Sequence, residues 1–301
     1  MAIFTSFFSY KGGAGRSTTC LNTIPFLAKE LEAHAKSPIL LLDMDIESAG
    51  MTYLLNKHEH FHKAGFDVKS FLKDEINWTT SQVSNLSDHI LYKKFVPVGK
   101  LLGLEDDYAV MFLGVNDDAR VKLGKAETSL KIAGVMSKFN QFAANNNIRA
   151  IVMDSAAGDQ VSAEHSIKNS EKVVFCMRPT HQFRIGTFNY LSYFSQNNKS
   201  ADEKEFILLP TVVPNDVKIN GVSQLQRTVD DINDRVNAKE LRPLDINTHF
   251  INKDALGINE ITRFKWREDV LFKLEAENKL ENDDEIEGLK RYQALAKAIA
   301  R

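Results

Sequence analysis

The sequence predicts an α/β fold, a mostly parallel twisted sheet flanked by helices on both faces. Three observations predict it. Short apolar runs recur along the chain and are separated by longer stretches with helical spacing. The first run leads straight into a glycine-rich loop and then a helical stretch. Two later runs end in aspartates. Strands that alternate with helices pair in parallel, because each helix carries the chain back to the edge where the next strand starts.

The expected strands are Ile3–Phe8, Ile39–Leu42, Ala109–Val115, Ala150–Met153, Lys172–Met177, Phe206–Val213 and Ile246–Phe250. Each is short, apolar and rich in branched or aromatic residues, as a strand buried on both faces must be. A helix is expected over Ser17–Ala33, with Leu21, Ile24, Leu27, Ala28 and Leu31 on one stripe. Another is expected over Leu130–Ala144, with Ile132, Val135, Met136, Phe139 and Phe142. Residues 56–107 break the rhythm with polar residues and single aromatics, and read as a mostly helical insertion. Asn197 to Glu205 is a polar connector. The stretch from Asp283 is acidic, then basic and amphipathic, so a last helix is expected over about 285–301. With no Pro/Gly/Ser-rich linker, residues 1–301 are expected to form a single domain.

Composition narrows the function. Of 301 residues 43% are apolar, which is enough to bury a large core, and the formal net charge of −2 gives no overall attraction to nucleic acid. Cys20 and Cys176 are far apart in sequence and sit among apolar residues, so they read as core residues in a reducing compartment. No apolar run approaches the roughly 20 residues of a membrane span, and the first run enters a loop with no basic leader; a cytoplasmic protein is expected.

The chemistry is concentrated in Lys11-Gly12-Gly13-Ala14-Gly15-Arg16-Ser17-Thr18. Glycines 12, 13 and 15 let the backbone turn tightly and aim successive N–H groups inward. The helix that follows adds its positive end, so the loop is a cradle for phosphate. Ser17 stands where P-loop proteins ligate Mg²⁺, and Thr18 is placed to contact the α-phosphate region. The segment departs twice from G-x-x-x-x-G-K-[ST]: Tyr10 replaces the first glycine and Arg16 replaces the lysine. Arginine keeps the charge and can bind phosphate oxygens bidentately, but it is bulkier and planar, which puts fast hydrolysis in question. With its early Lys11, the motif resembles the deviant Walker A motif of the ParA/MinD family of ATPases. The resemblance implies a P-loop fold, ATP with Mg²⁺, hydrolysis to ADP and phosphate, and a Lys11 that reaches the phosphates of a second copy in a nucleotide-sandwich homodimer.

Ile39-Leu40-Leu41-Leu42-Asp43-Met44-Asp45 is a buried strand ending in two carboxylates that alternation turns to the same side. At the carboxyl end of a parallel strand they face the ligand crevice. This segment resembles the family's Asp-x-Asp motif, which implies that Asp45 orients the attacking water and that Asp43 binds Mg²⁺ through water or supports the loop. Ala150-Ile151-Val152-Met153-Asp154, followed by Ser155-Ala156-Ala157-Gly158, resembles the family's Walker B segment. By that resemblance Asp154 holds Mg²⁺ through a water shell, and Gly158 offers a backbone N–H near the γ-phosphate.

The family builds its adenine pocket late in the chain. Asn215 and the segment Phe250 to Asp254 match it loosely, and ordinary strand-end turns are an equal reading. The preference for ATP over GTP comes from the resemblance alone. Partitioning or positioning of DNA or a large complex is the implied task. The alternative is a slow or non-hydrolysing nucleotide sensor that recruits a partner protein. Arg178, Arg184, Arg263, Lys265 and Arg267 could meet DNA, although a solvated charged surface is the preferred reading. The Ala-rich terminal stretch is expected to pack on the core rather than on a membrane.

Overall fold

A computed structural model describes residues 2–56, 67–74, 77–115, 125–178, 180–197, 204–211, 218–219, 222–223 and 283–301. The first strand, β1 (Ile3–Ser9), runs into the glycine loop and α1 (Arg16–Glu30). β2 (Ile39–Met44) leads to α2 (Gly50–Asn56), and a lobe follows with α3 (Val68–Leu72), β3 (Val96–Pro97) and β4 (Val110–Leu113). Then come α4 (Lys125–Asn145), β5 (Ala150–Ala157), α5 (Val161–Lys168), β6 (Lys172–Met177), α6 (His181–Asn197) and β7 (Glu205–Pro210). The short pair β8 (Lys218–Ile219) and β9 (Val222–Ser223) and the helix α7 (Asp283–Ala300) complete the described elements.

Seven strands form one sheet in the order β3-β4-β2-β5-β1-β6-β7. Every pairing is parallel except that of the edge strand β3 with β4. Alternation along β2 divides the core as the pleat requires. Ile39 and Leu41 join α1 and α7 residues such as Leu27, Leu295 and Ile299 on one face. Leu40 and Leu42 join Met136, Phe139 and Phe142 of α4 on the other. A third cluster, with Phe8, Phe175, Phe188 and Phe206, sits under α6.

The segment read as a mostly helical insertion is corrected over its described part. Between residues 67 and 107, regular helix amounts to the five residues of α3 and two 3-10 turns of three residues each. The rest is turn and extended chain, closing in β3 against β4. The physical reason lies in how the single aromatics are used. Phe71, Trp78 and Phe95 all pack against Phe139 of α4, which pins the chain across one face of the sheet without a helical stripe. Asp67 caps α3 by accepting from the Ser70 N–H at 2.8 Å, and Pro97, Gly99 and Gly103 punctuate the return. The expected strand Ile246–Phe250 lies outside the described residues.

α7 is docked on the core. Tyr292, Leu295, Ala296 and Ile299 are buried, and the Asn22 amide of α1 donates to the Tyr292 hydroxyl at 3.2 Å. Lys172 Nζ donates to the Ala298 carbonyl at 2.9 Å and pairs with Glu205 at 3.0 Å. No helix among the described residues is long and apolar enough to cross a membrane.

Candidate functional site

The glycine loop closes over the carboxyl end of β1, an interior strand between β5 and β6. Gly13 and Gly15 take left-handed backbone, with φ of 78° and 72°, and Gly15 is the residue from which α1 starts. Neighbouring strands hold the loop from the far side. Arg178, just past β6, donates from Nε to the Gly13 carbonyl at 2.7 Å. Thr211, just past β7, donates from its hydroxyl to the Ala14 carbonyl. The Thr19 hydroxyl turns back to the Gly15 carbonyl at 2.7 Å. Gly12 has open space around its Cα, Lys11 is half-buried, and Ser17 and Thr18 lie on the first turn of α1. Tyr10, which replaces a glycine of the standard motif, lays its ring where Gly186 of α6 leaves no side chain.

The pairing of β2 with β5 sets Asp43 directly beside Asp154. β5 in turn pairs with β1, so both carboxylates lie one or two strands from the loop. The strand runs past Asp154 to Ala157, further than expected, and Gly158 (φ 72°) donates its N–H to the Ser9 carbonyl at 3.0 Å. Asp43 braces the β2–α2 turn. It accepts from the Asp45 N–H at 3.1 Å, the Thr52 N–H at 2.9 Å and the Thr52 hydroxyl at 2.6 Å. Thr52 also accepts from the Val115 N–H at 2.9 Å, which ties the turn to the end of β4. Gly50 lets α2 approach so closely that a Cβ there would sit 3.1 Å from the Ser17 hydroxyl.

Arg16, expected to reach phosphate oxygens, is turned instead into the carboxylates. Its Nε lies 2.5 Å from Asp154 Oδ1 and its Nη2 lies 2.7 Å from Asp45 Oδ2, with the side chain only 7% exposed. The second Asp45 oxygen accepts from the Ser48 N–H at 3.2 Å. Burial alone would discourage the guanidinium charge, but Asp154 and Asp45 outweigh it and raise its pKa further. Burial pushes Asp43 up to about 7, and the neighbouring Asp154 adds to the effect against the Thr52 hydrogen bonds. Asp154 is also raised by burial, against the pull of Arg16. Cys20 and Cys176 are fully buried free thiols that burial keeps protonated.

Mg²⁺ takes near-octahedral oxygen coordination and keeps several of its waters. Among the described residues no three His, Cys, Asp or Glu side chains gather into a metal cage. Both oxygens of Asp43 and of Asp45 are engaged with protein donors. Asp154 Oδ2 is buried and, although Ser17 lies near enough to favour the charged form, makes no hydrogen bond of normal geometry. That open oxygen and the Ser17 hydroxyl suit an ion that brings its own water and phosphate ligands. Asp43 suits a bracing role.

Thr52, Arg178 and Thr211 were not singled out from the sequence as parts of the site. Their one signal is position, since Arg178 and Thr211 directly follow buried strands and Thr52 follows the Asp-x-Asp segment by one turn of chain. Arg184 lies on α6. Asn215, Phe250 to Asp254, Arg263, Lys265 and Arg267 lie outside the described residues.

No family model matches the chain, and no curated protein matches it. Solved structures do. A plasmid partition protein from Borrelia burgdorferi bound to AMPPNP superposes with a TM-score of 0.57 at 15% identity, covering 99% of this chain and 97% of that one. The cell division ATPase MinD of Pyrococcus furiosus gives 0.55 at 14% identity, covering 99% and 98%. The pNOB8 ParA bound to nonspecific DNA gives 0.55 at 14%, covering 99% and 97%. At such identities a likeness speaks for the fold, and it agrees with the parallel sheet, the loop between β1 and α1, and the aspartates ending β2 and lying within β5. The chain therefore has the P-loop fold of the ParA and MinD ATPases.

Proposed function

We propose that this protein is a ParA/MinD-like, nucleotide-dependent dimerisation switch that binds ATP and hydrolyses it to ADP and phosphate. One observation carries the reading: the glycine loop after β1, Asp43 and Asp45 at the end of β2, and Asp154 within β5 come together on three neighbouring parallel strands. Phosphoryl transfer asks mainly for positioning and charge compensation, and this arrangement offers both.

In this reading the amides of Gly12, Gly13, Ala14 and Gly15 and the start of α1 cradle the phosphates. Thr18 contacts the α-phosphate side, and Gly158 lies by the γ-phosphate. Ser17 and the open oxygen of Asp154 would hold Mg²⁺, and Asp43 would fix the turn that presents them. When bound, the ion would supply charge compensation for the phosphates. Asp45 orients water once Arg16 leaves it. Lys11 crosses to a second copy, and Asn215 reads the base. The partitioned or positioned cargo is DNA or a large complex, with a cytoplasmic setting.

The test is light scattering with and without ATP, together with phosphate release. Wild type should dimerise with ATP and Lys11→Ala should stay monomeric. ATP-dependent dimers of equal strength in the variant would sink the sandwich arrangement. A second reading, a slow nucleotide sensor that recruits a partner protein, is favoured by the ion pairs that hold Asp45 and Asp154 on Arg16. Phosphate release that DNA strongly stimulates would count against it.

A further inference from the structure

We propose that Thr211 and Arg178 are positioning residues that aim the Ala14 and Gly15 amides of the glycine loop at phosphate. The inference rests on the nucleotide-binding reading above and names what orients the backbone donors of that same site.

A trans peptide is planar, and its C=O and N–H point in opposite directions. Whatever fixes one carbonyl of the loop therefore fixes the N–H of the next residue. Arg178 Nε donates to the Gly13 carbonyl at 2.7 Å, which sets the Ala14 N–H. The Thr211 hydroxyl donates to the Ala14 carbonyl, which sets the Gly15 N–H. Both holds come from one side. β6 pairs with β7 so that Met177 lies beside Pro210, and the Thr211 N–H donates to the Met177 carbonyl at 2.7 Å. Residues 178 and 211 thus leave the sheet side by side. In the sheet, β6 and β7 lie on one flank of β1, and β5 and β2 lie on the other. Two successive carbonyls drawn toward β6 and β7 leave two successive N–H groups facing the flank where Asp154 and Asp43 stand.

Neither amide has an acceptor among the described residues, and Ala14 is only 1% exposed. A buried N–H left without an acceptor is rare in a folded chain. Consecutive N–H groups on one side of a turn suit an oxygen-rich anion. The local backbone does not secure this arrangement by itself. Gly13 and Gly15 have φ of 78° and 72°, and glycine takes φ of either sign almost equally. The Ala14–Gly15 peptide can therefore turn over at Gly15 with little strain. Turned over, it would set the Ala14 carbonyl where the Gly15 N–H now points, and a partial negative charge would face the phosphate. The fully buried Thr211 hydroxyl decides which way that peptide faces.

The experiment is titration calorimetry on the full chain at fixed Mg²⁺, with ATP and, separately, with inorganic tripolyphosphate, which carries no base. Thr211→Val keeps the shape and changes no charge, so a loss cannot come from weaker electrostatic attraction. Both probes should bind about tenfold or more weakly to it, while Thr211→Ser should stay within about threefold of wild type. Amide NMR supplies a readout that a purely structural role would not move. Tripolyphosphate should shift the Gly15 N–H signal strongly in wild type and Thr211→Ser, and little in Thr211→Val. A Thr211→Val protein that binds both probes within about threefold of wild type, with the same Gly15 shift, overturns the proposal. Should that variant fail to fold, Arg178→Met repeats the test at the neighbouring peptide: its Ala14 N–H should cease to respond to tripolyphosphate, and a full response overturns the proposal. Wild type that binds neither probe overturns the nucleotide-binding reading itself, and this inference with it.

Discussion

Tyr10 and Gly186 should show energetic coupling of opposite sign to simple helix propensity. Gly186 lies inside α6, where alanine would ordinarily gain ~1 kcal/mol over glycine. A Cβ built there collides with Cδ1 and Cε1 of the Tyr10 ring and lies 3.2 Å from its Cγ. Tyr10 faces Tyr190 of the same helix at a centroid distance of 6.4 Å, which limits its retreat. Overpacking of this kind costs about 1–3 kcal/mol, so Gly186→Ala should destabilise wild type by about 1 kcal/mol net. With Tyr10→Ala the ring is gone and only propensity remains, so the same change should stabilise by up to ~1 kcal/mol. Urea unfolding of the four proteins closes the cycle, with a coupling of about 2 kcal/mol. Effects of the same sign, adding within ~0.5 kcal/mol, would refute the claim that Gly186 is small because Tyr10 occupies its space.

Thr52→Val keeps shape but removes the hydroxyl that donates to Asp43 and accepts from the Val115 N–H. It should cost about 3 kcal/mol in urea unfolding, with Thr52→Ser near wild type; a loss below ~0.5 kcal/mol for valine would contradict the bracing role. His89 is buried against Phe142, and burial holds its pKa below the ordinary value. The unfolded histidine then binds protons that the folded one refuses, so its contribution is complete above the unfolded pKa of roughly 6.5 and falls away as pH drops below it. His89→Gln should therefore lose less stability than wild type between about pH 7 and pH 5, and identical slopes would refute this.

The fold was legible where period and punctuation are local. The apolar runs at 3–8, 39–42, 150–153 and 172–177 became β1, β2, β5 and β6 within a few residues of their expected bounds. The meeting of Asp43 with Asp154 followed from element order, because parallel pairing of two strands that each carry an aspartate near the carboxyl end brings the carboxylates together. What Arg16 would bind was not legible. A sequence shows an arginine at the mouth of a phosphate cradle but not the two buried carboxylates that compete for it. The described part of the segment 56–107 departs from the expected helices for a related reason. Its aromatics are fixed by contacts to α4, more than thirty residues away from most of them, and local spacing carries no trace of that partner.

The docking of α7 has a consequence in time. The helix that begins at the phosphate loop is covered by a segment about 270 residues downstream, down to the Asn22–Tyr292 hydrogen bond. During synthesis the nucleotide cradle can be threaded early, but the apolar flank of α1 stays bare until α7 emerges. Contacts at such separation form late and slowly. Nascent chains halted before residue 283 should present that flank to chaperones, and the competence to hold nucleotide should appear as one of the last events of folding rather than one of the first.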